Sequence, residues 1–180
     1  MPETISSPEI QTYAGVKWGL QNPSVIIVGI HQKGSQDNLV LVHEFYRDGV
    51  LLPEMLAAAR ELADVHKIRK FFCDPSEPRF IERVRKERLW AVAVKDEELA
   101  GINLISERLQ KTREGKPGGM VVSKGCKNLI FEFQRYHAPE RNPNKPYRDR
   151  PLAVHNYALD ALRFLVLGLS YEAVPKVRWL

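Results

Sequence analysis

Lys70-Phe71-Phe72-Cys73-Asp74-Pro75-Ser76-Glu77-Pro78 is the stretch on which the reading of this 180-residue chain turns. Phe71 and Phe72 belong to a short apolar run with the character of a buried strand. Pro75 has no N–H to extend a ladder, so Asp74 falls at the strand's carboxyl-terminal lip. In sheets flanked by helices, that lip is where ligands and reacting groups collect. Pro78 opens a helix, with Ser76 or Glu77 near its cap. Taken alone, Asp74 reads better as a turn residue before proline than as a functional acid. The order of the surrounding elements changes that balance.

Working back from this stretch, Leu52 to Lys67 has apolar residues at helical spacing, with Pro53 in the first turn. Before it lie three strand-like segments, Tyr13–Leu20, Ser24–His31 and Leu39–Arg47. Asn22-Pro23 and the polar run 34–38 separate them, which predicts an antiparallel meander. Working forward, Pro78 to Arg88 reads as a helix with Phe80, Ile81 and Val84 inward and Arg79, Arg83, Arg85, Lys86 and Arg88 outward. Trp90–Val94 is a fifth strand. Asp96 is placed to cap a helix from Glu97 to about Thr112, with Leu99, Ile102, Ile105 and Leu109 toward the core. A glycine-rich loop, a short strand at Met120–Ser123 and a helix at Cys126–Tyr136 follow. Residues 137–151 carry four prolines and five basic residues and read as a loop or flap. Leu152–Tyr171 is a long apolar helix.

The fold class predicted is α/β, a mixed sheet of three antiparallel strands then parallel strands, flanked by helices. A crossover from the third strand through a helix lays the fourth beside the first, in parallel. That brings position 17 near Asp74, and the final helix can bring Asp160 to the same point. Asn156 and Asp160 stand four apart on that helix, hence on one face. A shared metal site is one reason for polar groups there; exposure at a helix edge is another, and spacing does not choose between them.

Composition sets the outer limits. The length suits one domain with a proper core, expected as a leader at 1–12, a folded unit at 13–172 and a tail at 173–180. The leader reads as a ragged end or the cut end of a longer chain. There is no run of eighteen apolar residues and no signal-peptide pattern at the start, so no membrane span is expected. Cys73 and Cys126 lack metal-ligand spacing, which argues against zinc. The formal charge is +5. Ile105 to Arg150 holds eleven Lys/Arg and five Asp/Glu, leaving sixteen basic and seventeen acidic residues elsewhere. A basic excess confined to one region is the footprint of a polyanion partner, or else a solvated basic loop face.

Four segments in order resemble the C-terminal nuclease domain of tailed-bacteriophage large terminases, a ribonuclease H-like fold. They are YAGVKWGLQNPSV at the start, CDPSEPRFIERVR from Cys73, Glu98-Leu99-Ala100-Gly101-Ile102, and HNYALDALRFLV from His155. The resemblance runs from Tyr13 to Gly168. It implies a two-metal endonuclease using Mg²⁺ or Mn²⁺ to cut concatemeric DNA during packaging, one ion activating water and the other stabilising the leaving oxygen. It assigns Asp74 and Asp160 as metal ligands and puts Asn156 where relatives often carry another acid, as a weak metal ligand through its amide oxygen or a residue that orients a water. Position 17 departs from the pattern. The family carries an aspartate there, in a motif like Gly-x-Asp-x-Gly, and this chain reads Gly15-Val16-Lys17-Trp18-Gly19. An ammonium has only donors and cannot ligate Mg²⁺. Beside two carboxylates it is expected to act as a tethered cation, with roughly 4 kcal/mol of pairwise attraction before desolvation. The other orientation points Lys17 to solvent; the family register favours the inward one.

The expected function is therefore a metal-dependent DNA endonuclease domain whose cutting is impaired by Lys17. The alternatives are a catalytically inactive DNA-binding module of the same fold and, more weakly, a structural piece meeting an acidic protein. The predicted DNA contacts are Lys111, Arg113, Lys116, Lys124, Lys127, Arg141, Lys145, Arg148 and Arg150, touching phosphates without reading sequence. His137 and His155 are read as loop or cap residues before general bases. Glu44 is an exposed strand carboxylate before a supplementary ligand, and Tyr136, Tyr147 and Trp179 pack before they stack on bases. The chain has no GxxxxGK[ST] phosphate loop. A terminase ATPase domain elsewhere, the small terminase and the portal are the partners the resemblance implies, besides double-stranded DNA. The isolated domain is expected to be monomeric, in the cytoplasm of the infected host cell.

Overall fold

The computed structural model describes residues 9–136 and 156–173. Residues 1–8, the loop or flap together with His137, Arg141, Lys145, Tyr147, Arg148, Arg150 and His155, and the end of the tail with Trp179 lie outside the described residues.

β1 (Ile10–Lys17), β2 (Ser24–Gln32) and β3 (Leu39–Arg47) form the antiparallel meander. After α1 (Leu52–His66), β4 (Ile68–Cys73) returns beside β1 in parallel, with Val16 opposite Cys73. α2 (Pro78–Lys86) leads to β5 (Ala91–Ala93), parallel to β4. α3 (Glu98–Arg113) crosses to β6 (Met120–Val122), parallel to β3 at the opposite edge. α4 (Lys127–Arg135) and α5 (Tyr157–Ala173) complete the described residues. The sheet order is β5-β4-β1-β2-β3-β6, the mixed arrangement predicted, with the short strand expected at Met120–Ser123 as β6 at the edge beside β3.

Strand alternation divides the core in two. Tyr13, Val25, Ile27, Leu41 and Phe72 face α3, α4 and α5. Ala14, Val16, Ile26, Val28, Phe71 and Cys73 face α1 and α2. Gly15 shares the α5 face with Tyr13 and brings the two elements together. A Cβ there would sit 2.0 Å from the Ala161 carbonyl oxygen, so only glycine lets α5 lie this close to β1. Gly168 does the same against Phe72, where a Cβ would come within 2.2 Å of the ring.

Several boundaries differ from those read in the sequence. β1 starts at Ile10, inside the expected leader, and ends at Lys17 instead of Leu20. The chain turns there because Gly19 N–H donates to Ser24 Oγ at 3.2 Å and Ser24 Oγ donates to the Gly19 carbonyl at 3.1 Å. α3 opens at Glu98 behind Glu97, with no side-chain cap from Asp96. Its buried residues are Gly101 and Ile105, while Leu99 and Leu109 are exposed. Gly101 receives the Arg163 stem, and a Cβ there would lie 2.2 Å from Arg163 Cγ. That close approach turns Leu99, on the far side of the helix, to solvent. The last helix is described from Tyr157 to Ala173, the expected start at Leu152 lying outside the described residues, and the Asn156 carbonyl accepts the Asp160 N–H at 2.8 Å. Asn156 thus stands at the cap, with only Asp160 of the pair inside the helix.

Candidate active site

The parallel pairing of β1 and β4 ends with Asp74 N–H donating to the Val16 carbonyl at 3.0 Å. The alternation that turns Val16 and Cys73 toward α1 and α2 turns Lys17 and Asp74 to the α5 side. There the Lys17 ammonium donates to Asp74 Oδ2. The other carboxylate oxygen, Oδ1, accepts the Ser76 N–H at 2.9 Å, the Asx turn that Pro75 prepares. The Asp74 side chain is 4% exposed and that of Lys17 26%. Burial pushes the Asp74 carboxyl up, but the bonds from Lys17 and Ser76, with the ammonium charge, overcome it and leave the group below its ordinary value.

Asp160 reaches the same lip from α5. It makes no ion pair with Lys17, yet it feels the charges of both Lys17 and Asp74. Burial raises its pKa; Arg163 and Lys17 oppose the rise, and Asp96 and Asp74 add to it. Arg163 is the partner that sequence reading missed. It holds Asp160 Oδ1 with one terminal nitrogen and Asp96 Oδ1 with the other, each at 3.2 Å. An arginine buried on an otherwise apolar helix face was the signal available, since a guanidinium is seldom buried without a carboxylate.

Of the remaining predicted residues, Asn156 stays beside Asp160 and the others disperse. Asn156 lines a cavity of about 210 Å³ with Asp160, Arg163, Tyr136, Phe133 and Ile105, between α3, α4 and α5. Glu44, expected as an exposed strand carboxylate, instead caps α4. It accepts the N–H groups of Asn128 at 2.7 Å and Leu129 at 2.9 Å. Lys111 pairs with Glu107 at 2.6 Å and Lys116 with Glu114 at 2.7 Å. Both follow α3 to the far end of the sheet, where Gly118 N–H meets the Gln36 carbonyl beside the β2–β3 turn. Arg113 ends the same helix. Lys124 and Lys127 follow β6, whose last residue, Val122, is level with Leu41, Gly29 and Tyr13, four residues short of Lys17. Of the described basic residues of that set, Lys111, Arg113 and Lys116 thus lie away from Lys17 and Asp74, while Lys124 and Lys127 follow a strand that runs in the direction of β1 at the opposite edge of the sheet.

The arrangement of the meander, the parallel β1–β4 pair and the final helix across the sheet is shared with known structures. The chain matches the large terminase of a thermophilic bacteriophage, solved in complex with ADP, at 22% identity and a TM-score of 0.76, over 93% of this chain and 42% of that one. The fold is that of a large-terminase nuclease domain. The nuclease domain of the phage P22 large terminase matches at 15% identity and a TM-score of 0.71, over 92% of this chain and 84% of that one. The nuclease domain of the phage SPP1 large terminase, solved with bound Mn, matches at 18% identity and a TM-score of 0.62, over 86% of this chain and 84% of that one. At these identities the likeness to terminase nucleases is one of fold. The chain spans well under half the length of the ADP-bound terminase. No family model and no curated protein matches it.

The donor set in this terminase-nuclease fold does not suit a divalent pair. Among the described residues, no group of three His, Cys, Asp or Glu side chains is placed to hold a metal. Asp74 has one oxygen on an ammonium and the other on a backbone N–H, and Asp160 is held by Arg163. Hard cations need free carboxylate oxygens, and here both oxygens of Asp74 and one of Asp160 are already engaged.

Proposed function

We propose that this chain is the nuclease-fold part of a phage DNA-packaging terminase that engages duplex DNA while Lys17 blocks its cutting site. The Lys17 ammonium bonded to the Asp74 carboxylate carries this reading. With Lys17, Asp74 and Asp160 charged, the three sum to one negative charge. Lys17→Asp would make that three, the kind of field that draws a dication. The inactive DNA-binding reading is thereby favoured over cutting for this sequence. Mg²⁺ or Mn²⁺ chemistry belongs to the form with an acid at position 17, in which Asp74 and Asp160 would be ligands. A terminase ATPase domain, the small terminase and the portal are the partners this role implies, in the infected cell's cytoplasm.

Plasmid nicking in Mn²⁺ tests the reading. The chain with Lys17 is expected to leave supercoiled plasmid intact at concentrations where it binds DNA. Lys17→Asp is expected to nick it, and Lys17→Asp with Asp74→Asn to lose that gain. Equal nicking by the Lys17 chain and Lys17→Asp would overturn the blocking role.

A further inference from the structure

We infer that the outer face of α2 is a contact surface for the sugar-phosphate backbone of duplex DNA, an inference that rests on the DNA-binding role above. α2 begins four residues after Asp74, so it leads directly away from the Lys17–Asp74 lip. Phe80, Ile81 and Val84 bury one side of it. Its period therefore places Arg79, Arg83 and Lys86 together on the opposite, exposed side.

The local charges do not explain this face. Glu82 is engaged by Lys86 at 2.7 Å, and Glu87, just past the helix, is engaged by Arg60 at 2.5 Å. Among the described residues, Arg79 and Arg83 make no ion pair; Arg83 acts on Glu82 only through space. Arg79 sits in the first turn, where the helix macrodipole is positive and where α2 has no acidic residue. Two arginines four apart also repel. Both placements cost the isolated fold stability, and an anion lying along the face offsets both. Lys111, Arg113 and Lys116 run to the opposite end of the sheet. α2 instead starts at the Asp74 end of the sheet, on the face away from α5, and Arg79 is the member of its basic face nearest that end.

Fluorescence anisotropy of the full chain with a short labelled duplex, over a range of salt, tests the surface. Arg79→Gln with Arg83→Gln is expected to weaken binding about tenfold at low salt and to flatten the salt slope by about 2. The Arg79→Lys, Arg83→Lys pair is expected to keep the slope. Melting of the glutamine pair at or above the parent's temperature shows that the fold is retained. Unchanged affinity and slope in the glutamine pair, with weakening in Lys111→Gln, Lys116→Gln, would overturn the surface and leave the DNA role standing. A parent chain that binds no duplex at any salt removes both. Release of polyglutamate but not duplex by the glutamine pair assigns the face to an acidic protein and overturns the proposal.

Discussion

Two ion-pair clusters lie toward opposite ends of one sheet, and they differ in what the fold asks of them. At the far end, Arg108 donates to the Asp37 carbonyl at 2.7 Å and approaches the two carboxylate oxygens of Asp37 at 3.3 and 3.2 Å. It also reaches the Gly118 carbonyl at 3.3 Å, and His31 Nε2 lies 2.6 Å from Asp37 Oδ1. Arg108 ties the β2–β3 turn to α3 and α3 to the loop before β6, and His31 ties the turn back to β2. That turn needs tying, since Asp37 adopts a φ of 44°. At the near end, Lys17 and Asp74 join β1 to β4, strands already held by their ladder and by the Asp74 N–H to Val16 bond. The first cluster joins a turn, a loop and a helix that no strand ladder aligns. The second adds a buried charge pair where the backbone is already satisfied. Such a pair has little structural purpose, and that is the kind of place where function is sought.

Replacing one member at each end separates the two most sharply. Lys17→Asp puts a third acid beside Asp74 and Asp160, and without divalent ions it is expected to lose about 4 kcal/mol of stability. Added Mn²⁺ should restore part of the loss, since a ligand that binds only the folded state stabilises it. Urea unfolding with and without Mn²⁺ measures both. A loss with no response to metal would make the near cluster as structural as the far one.

Arg108→Ala is expected to cost about 2.5 kcal/mol, because it removes the bonds that join the Asp37 and Gly118 carbonyls and the half-exposed Asp37 carboxylate to α3. Mn²⁺ should recover none of it, and duplex binding per folded molecule should stay unchanged. Denaturant titration paired with anisotropy reads both. A change in duplex affinity would extend the functional surface to the far end.

The smallest effect tests how Asp160 is seated. Glu132 on α4 is buried and accepts the Leu159 N–H at 2.9 Å in the first turn of α5. Burial raises its pKa to about 6, against the pull of the Leu159 and Ala158 N–H groups. A carboxyl raised in the folded state stabilises the fold below its unfolded value and loses that contribution as pH climbs through the folded one. Stability should fall by about 2 kcal/mol as pH rises from 4.5 to beyond 6. Glu132→Gln keeps an acceptor for Leu159 and should remove that decline, as urea midpoints across the range would register. A decline that survives in Glu132→Gln would assign the titration to another group.

Much of the near end is legible in the residue order. The Phe71-Phe72 run, Pro75 and Pro78 set a strand, a lip and a helix, because β ladders and proline act between near neighbours. The right-handed crossover then placed β4 against β1, and with it Lys17 beside Asp74. The local pattern misleads where packing competes with it. Leu99 and Leu109 have helical core spacing yet face solvent, since Gly101 is the residue that meets α5.

By itself, the sequence determined a three-stranded meander followed by a parallel strand ending in an acid, and a lysine where a carboxylate was expected. These follow from periods and breakers spanning a few residues. The tertiary structure alone decided which side chains complete the helices and hold the acids. Glu44 caps α4 from 85 residues away, Glu132 anchors α5 from 27 away, and Arg163 joins Asp96 to Asp160. A buried polar group takes whichever partner the packing of distant segments brings within reach, and no local period encodes that choice.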